Sequence, residues 1–238
     1  MSRIIKMKAT RIVATSAEMK EFGRVNAFEE RLPFMSTAYK LSSNPKDYFM
    51  TPVLMFHSNV PNRNGYMFPT ASLVEWIPSR MSMAYETWRY APLQVEHKAD
   101  DPGTAIGVIA DVAIIKEKGY SDDAIYKVIA LAAVDRTKNV KLAAAIESGK
   151  RNSWSMGCDA TRIFCSYCGQ TQATVDEHNN VIGGCTHIDP NAGVVFYELN
   201  GKIVCRAASG LSGVELSSVG TPAFMMAVNN INSIKGYS

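Results

Sequence analysis

The sequence predicts a mixed α+β protein built mainly from antiparallel strands, and three observations lead there. Two long apolar runs, residues 106–115 and 125–134, are rich in β-branched residues and joined by a polar stretch with Gly119, which reads as a hairpin. Residues 139–148 have helical spacing with a signal at each end. All five cysteines lie late in the chain, from Cys158 to Cys205, and mark an insert in the strand pattern. A length of 238 residues, 47% hydrophobic and 20% charged, suits one globular domain or one domain with an insert. The net charge of +3 is too mild to argue for nucleic acid or a membrane as partner. No apolar run reaches the roughly 18 residues of a membrane span. The opening residues, Met-Ser-Arg-Ile-Ile-Lys, lack the apolar core of a secretory signal. An odd, clustered set of cysteines fits a reducing compartment and a metal site better than a disulfide framework.

In chain order, 4–14 reads as a strand and 16–30 as a charged segment with weak helical spacing through Met19, Phe22, Val25 and Phe28. Residues 1–48 are taken as an N-terminal arm or propeptide, 49–228 as the main domain with its insert at 158–205, and 229–238 as a polar tail. Ser42-Ser43-Asn44-Pro45 marks a loop. Residues 52–56 form a compact strand, and Val60-Pro61-Asn62-Arg63-Asn64-Gly65-Tyr66 is a dense turn signal. Residues 72–76 and 80–90 read as helical or irregular. A short strand at 93–98 ends in a charged turn at 99–103, and the hairpin follows. Thr137 or Asn139 can cap the next helix. Val140, Ala143, Ala144 and Ile146 give it an apolar side, and Gly149 stops it. A strand through Ser155 comes next, and 213–219 is the last strand, closed by Gly220-Thr221-Pro222.

The chain is organised around Asn152-Ser153-Trp154-Ser155-Met156-Gly157-Cys158. In a strand Ser153, Ser155 and Gly157 share one face, and Trp154, Met156 and Cys158 the other, core-facing one. Taken alone, this fits a polar strand face beside a turn. It also fits a nucleophile mount, with a glycine that lets a substrate or oxyanion come close. A serine nucleophile needs a base. His178 sits in a polar loop and reads as solvated, and His187 follows Cys185 as a metal ligand would. His57 and His97, each at a strand end, remain as base candidates.

Cys165-Ser166-Tyr167-Cys168-Gly169 is a Cys-x2-Cys knuckle, and Cys185-Thr186-His187 follows further on. Cys165, Cys168, Cys185 and His187 together make a zinc-like ligand set. Cys158 could replace any of them, and Cys205 is a weaker fifth candidate. Free buried cysteines are the alternative. Four protein ligands leave no open position for water, so such a zinc is structural. It would staple the insert between the Ser155 strand and the last strand and help to set the geometry there.

Several segments then occur in a telling order. His97 stands in Gln-Val-Glu-His, an Ala-Ile-Gly-Val-Ile strand follows, and a helix ends in Ile-Glu-Ser-Gly-Lys. Ser155 in Trp-Ser-Met-Gly-Cys comes next, and then Glu-Leu-Ser-Ser-Val-Gly-Thr-Pro-Ala-Phe. This order resembles the prohead (capsid maturation) serine proteases of tailed phages, distant relatives of herpesvirus assemblin. Their pattern is a histidine, then Ser-x-Gly, then Glu-x-Ser-x-Val-x-x-Pro-Ala. Pro61-Asn62-Arg63-Asn64-Gly65 looks like their early Asn-Arg-Asn-Gly loop, and the resemblance covers roughly residues 50–226.

The resemblance implies Ser155 as nucleophile, His97 as general base and Glu215 as the acid that orients the base. Asp159, on the strand parity of Ser155, competes with Glu215. No arginine pair of the herpesvirus kind follows Glu215, so the oxyanion donors stay unassigned, with backbone N–H groups near Gly157 as candidates. A similar cysteine insert occurs in some large-phage members. The fold expected is a closed or nearly closed, mainly antiparallel β-barrel of herpesvirus-protease type, with helices around it and the zinc-knuckle insert. The expected substrates are scaffold and major capsid proteins inside the prohead, cut after small-x-Glu sequences by a homo-oligomer. Ser16-Ala17-Glu18 has that form, so self-removal of the arm is expected too. The contrasting reading is a non-catalytic zinc-binding module, structural or interactive, of a viral assembly.

Overall fold

The computed structural model describes residues 3–11, 25–98, 101–117, 125–172, 174–178, 181–188 and 196–220. The architecture is mixed α+β, with one large sheet and few helices. The sheet holds β1 (Arg3–Arg11), β2 (Tyr48–His57), β3 (Tyr66–Met67), β6 (Pro92–Val95), β7 (Gly107–Lys116), β8 (Tyr126–Asp135), β9 (Ser153–Cys165) and β14 (Arg206–Ser218). Short hairpins join β4 (Trp76–Ile77) to β5 (Ser82–Met83), β10 (Thr174–Val175) to β11 (Val181–Ile182), and β12 (Tyr197–Leu199) to β13 (Lys202–Val204). The helices are α1 (Val25–Tyr39), α2 (Thr70–Leu73) and α3 (Val140–Glu147). Among the described residues no helix is long and apolar enough to cross a membrane.

Neighbours in the large sheet run β3-β14-β6-β7-β8-β2-β1-β9, and β9 also pairs with β14. That last pairing links the order back on itself. The expectation of an antiparallel barrel is corrected in two respects. β14 runs parallel to β3 and β6. The circuit is also thin at β6, which meets β14 only at Leu93, Gln94 and Val95 and β7 only at Pro92 and Leu93. The result is a large mixed sheet rather than a continuous antiparallel barrel.

β7 and β8 are mostly apolar, broken by Asp111 and Lys127, because both of their faces are covered. On one side Ile109, Val112, Val128, Ala130 and Ala132 join the main core around Phe56, Trp88 and Trp154. On the other, Val108, Ala110, Ile129 and Leu131 pack against Phe28, Leu32 and Met35 of α1. Each such large side chain contributes about 2 kcal/mol by its removal from water, and Leu32→Ala would forfeit that and leave a cavity. The weak spacing that ends at Phe28 marks only the start of α1. Pro33, ordinarily a breaker, sits inside it.

α3 forms as its ends dictate. Asn139 Oδ1 accepts from Leu142 N at 3.0 Å, and Gly149 takes φ 77° beyond its end. Its packed side is Ala143 and Ile146, with Leu142 against them; Val140, expected there, is 70% exposed. Ser16-Ala17-Glu18 and the tail from 221 lie outside the described residues.

Candidate active site and metal centre

β9 and β14 pair along most of their length, and their register builds the site. Ser155 stands opposite Ser217, Met156 opposite Leu216, and Gly157 opposite Glu215. Trp154, Met156 and Cys158 enter the main core with Leu216, as strand parity requires. Ser155, Gly157, Glu215 and Ser217 therefore share the reverse face, and all three side chains there are buried. The register shifts between Gly213 and Glu215, so Val214 is an extra residue in a β-bulge. Trp88 and Thr87 pin that bulge. Gly213 N donates to Thr87 Oγ1 at 2.8 Å, and a Cβ at Gly213 would lie 2.5 Å from Trp88 Cγ. Trp88 Nε1 donates to Gly157 O at 3.0 Å across the ladder.

His97 arrives from the other side of β14. β6 runs parallel to β14, with Gln94 opposite Ser217 and Val95 opposite Ser218. The chain then turns through Glu96 at φ 51° and His97 at φ 59°. Two successive non-glycine residues in the left-handed region are uncommon and need support. Glu96 N donates to Ser218 O at 3.0 Å, and His97 N donates to Ser217 Oγ at 3.1 Å. This turn sets His97 Nδ1 at 2.8 Å from Glu215 Oε1. Ser217 Oγ in turn donates to Glu215 Oε2.

A carboxylate that is 2% exposed needs partners, and this one has two. An ionised carboxylate only accepts, so against an ionised Glu215 it is Nδ1–H that donates. Ser217 serves both neighbours, donating to the Glu215 carboxylate and accepting from the His97 backbone N–H.

The structure thus brings His97 and Glu215 into contact, with Ser155 across one ladder step from Ser217. Asp159 stands opposite Ser212, beyond the bulge, while Glu215 meets the ring. His57 lies elsewhere, at the end of β2, with Nε2 3.6 Å from Glu117 Oε2. Burial, and then the Lys127 charge, hold its pKa down to about 4. His178 is mostly exposed beside Glu177. Gly157 has a role that the sequence did not reveal: a Cβ there would lie 2.7 Å from Glu215 Oε1. The glycine makes room for the carboxylate. Trp88, Thr87 and Gly213 were also missed, since contacts between distant segments leave no local pattern.

Cys165, Cys168, Cys185 and His187 gather at the far end of the β9–β14 ladder, their ligand atoms all within 4.8 Å of one another. Cys165 ends β9, and Gly169 closes the knuckle at φ 72° with its N–H on Cys165 O at 2.8 Å. Cys185 Sγ lies 3.3 Å from Cys168 Sγ and 3.2 Å from His187 Nδ1. Tetrahedral zinc with sulfur at about 2.3 Å separates its ligands by just under 4 Å, so the set could hold a metal ion and its donors suit zinc. A backbone hydrogen bond at Gln170 leads the effects that lower the Cys168 thiol to about 7, while burial pushes Cys185 up to about 11. A metal would displace these protons. Cys158 sits in the main core instead, and Cys205 lies against Ser166 Oγ at 3.6 Å. The Ser155 and Cys165 positions are ten residues apart on one strand, about 33 Å at the usual rise. The metal cluster and Ser155 therefore stand near opposite ends of β9.

No family model matches the chain, and no curated protein does. Among solved structures it is similar to the bacteriophage T4 capsid assembly protease, gp21. The two share 11% identity over 93% of this chain and 99% of that one, with a TM-score of 0.40. A likeness so distant says nothing of individual residues.

Proposed function

We propose that this chain is a serine endopeptidase of prohead maturation, with Ser155 as nucleophile, His97 as general base and Glu215 as the orienting acid. The observation that carries the reading is the 2.8 Å contact between His97 Nδ1 and the buried Glu215. It is made from a left-handed turn, on the strand face that Ser155 shares. Nε2 takes the Ser155 proton as the hydroxyl attacks a peptide carbonyl, then delivers it to the leaving amine. Water repeats the cycle to release the acyl group. Glu215 stays ionised, holds the ring's tautomer and stabilises the imidazolium that forms.

The ordered motifs from His97 to Ala223 support the prohead setting: scaffold and major capsid proteins as substrates, a homo-oligomer as the working form, and removal of the chain's own arm after Glu18. Cys165, Cys168, Cys185 and His187 would hold a structural zinc that fixes the knuckle. A non-catalytic zinc module would keep that cluster, but it has no use for a buried acid against a strained histidine. Fluorophosphonate labelling and peptide cleavage test the reading. Ser155→Ala should abolish both and Ser153→Ala should leave part; full activity in the Ser155 variant ends the assignment.

A further inference from the structure

Arg151 lies two residues before β9 opens at Ser153, in the turn after α3. Its backbone N–H is tied to Ala145 O at 2.9 Å. Its guanidinium reaches across to two other segments. Nε donates to Ser218 Oγ at 2.7 Å, and Nη2 donates to Ser218 O at 3.1 Å and to Glu96 Oε1 at 2.7 Å. Glu96 Oε1 also accepts from Gly220 N at 2.8 Å. One planar fork therefore fastens together the segment that leads into Ser155, the turn that carries His97, and the end of the strand that carries Glu215.

The turn needs such a fastening. Glu96 and His97 both occupy left-handed backbone conformations that non-glycine residues seldom hold unaided. Two backbone N–H groups anchor the turn to Ser217 and Ser218. Glu96 adds a third anchor through its side chain, and Arg151 fixes that side chain to the same Ser218. With side chains 29% and 52% exposed, the Arg151–Glu96 pair adds little to folding stability. Its effect falls on where the imidazole stands.

We infer that Arg151 is a positioning residue for the proposed proteolysis: its guanidinium locks the left-handed turn that aims His97 at Ser155. The inference rests on the protease reading above. Arg151 touches none of the reacting atoms. It acts through Glu96 and Ser218, and a base displaced by about an ångström costs about 100-fold in rate.

The test uses the full chain, with Arg151→Gln, Arg151→Lys, Arg151→Ala and Glu96→Gln against wild type and Ser155→Ala. Each is followed by the rate and amplitude of fluorophosphonate labelling, by kcat and KM on a small-x-Glu peptide, and by Tm. In Arg151→Gln, kcat and labelling rate should fall together by about 10- to 100-fold, with KM, labelling amplitude and Tm near wild type. Arg151→Lys should recover little, since an ammonium cannot reproduce the planar fork. Added guanidinium should restore part of the rate to Arg151→Ala. Glu96→Gln leaves Arg151 on Ser218 and should lose rate in the same direction. The double variant Glu96→Gln/Arg151→Gln should be no slower than Arg151→Gln alone. A kcat in both Arg151→Gln and Glu96→Gln within about threefold of wild type, a margin near 0.6 kcal/mol, overturns the inference. So does a loss of amplitude and Tm that accounts for the whole fall, because then fewer molecules fold and no base is misplaced. If wild type is not labelled, or Ser155→Ala is labelled equally, the protease reading itself has failed and takes this inference with it.

Discussion

Glu215→Gln keeps the shape of the side chain and removes its charge. In the native site Oε1 accepts from His97 Nδ1 at 2.8 Å, and Oε2 accepts from Ser217 Oγ. Glutamine offers those two neighbours one acceptor and one donor. Ser217 already accepts from His97 N at 3.1 Å and needs somewhere to send its own proton. The amide oxygen therefore settles on Ser217, and the NH2 group faces the ring. Nδ1 must then accept, which leaves the proton on Nε2, and such a ring cannot take one from Ser155. Flipping the amide to restore the tautomer strands the buried Ser217 proton, at about 1–3 kcal/mol. Losing the charged hydrogen bond to the imidazolium costs about 1.5–3 kcal/mol more. Together these make about 3–6 kcal/mol, or about 10²- to 10⁴-fold in rate. The assay is the fluorophosphonate labelling rate at mildly alkaline pH, with amplitude and Tm as controls for folding. A folded Glu215→Gln protein that labels within tenfold of wild type, about 1.4 kcal/mol, would refute the tautomer argument.

Gly157→Ala places a methyl carbon 2.7 Å from Glu215 Oε1. It should cost about 1–3 kcal/mol of stability through overpacking, and cleavage should fall by at least tenfold (about 1.4 kcal/mol) as the acid is pushed off the ring; peptide kinetics beside a urea titration check both. His57 carries a pH-dependent part of the stability. Its folded pKa of about 4 lies below the ordinary 6.5, so the unfolded chain binds the proton more readily. Stability is therefore retained above 6.5 and lost as pH falls from 6.5 towards 4, by up to about 3 kcal/mol. Urea midpoints at the two ends of that window should differ less in His57→Gln than in wild type. Metal analysis should find one zinc per chain. Chelation, or Cys168→Ser, should speed hydrogen exchange at the knuckle while leaving the Ser155 labelling rate within about threefold, because about 33 Å of strand lies between them; a collapse of labelling would contradict this.

What the sequence made legible was local, and what it hid was relational. The β7–β8 pair stood out because both faces are buried and most positions are apolar. α3 stood out because its cap and its stop lie within its own residues. Most of α1 did not, since Pro33 disguises it and its partners Leu54 and Leu131 come from distant strands. The first half of β14 was missed as well, because Ala207, Ala208, Ser209 and Gly210 are too small to carry a period of two. His97, Ser155 and Glu215 came to notice through motif order. The bulge at Val214, the room left by Gly157 and the backing of Trp88 exist only once β9 and β14 are in register.

β1 lies between β2 and β9, and its partners on β9 run from Ala160 opposite Arg3 to Ser153 opposite Thr10, with Ser155 opposite Lys8. A break in the chain after Glu18 would cut the covalent thread and leave that ladder intact. The severed peptide would stay seated, as the complementing fragment of a split protein does. A denaturing gel would show two pieces where native mass spectrometry weighs one. Nicking and shedding would then be separate events with separate clocks. Only shedding would bare the backbone edges of β9 and β2, which an unpaired strand from any neighbouring molecule could fill.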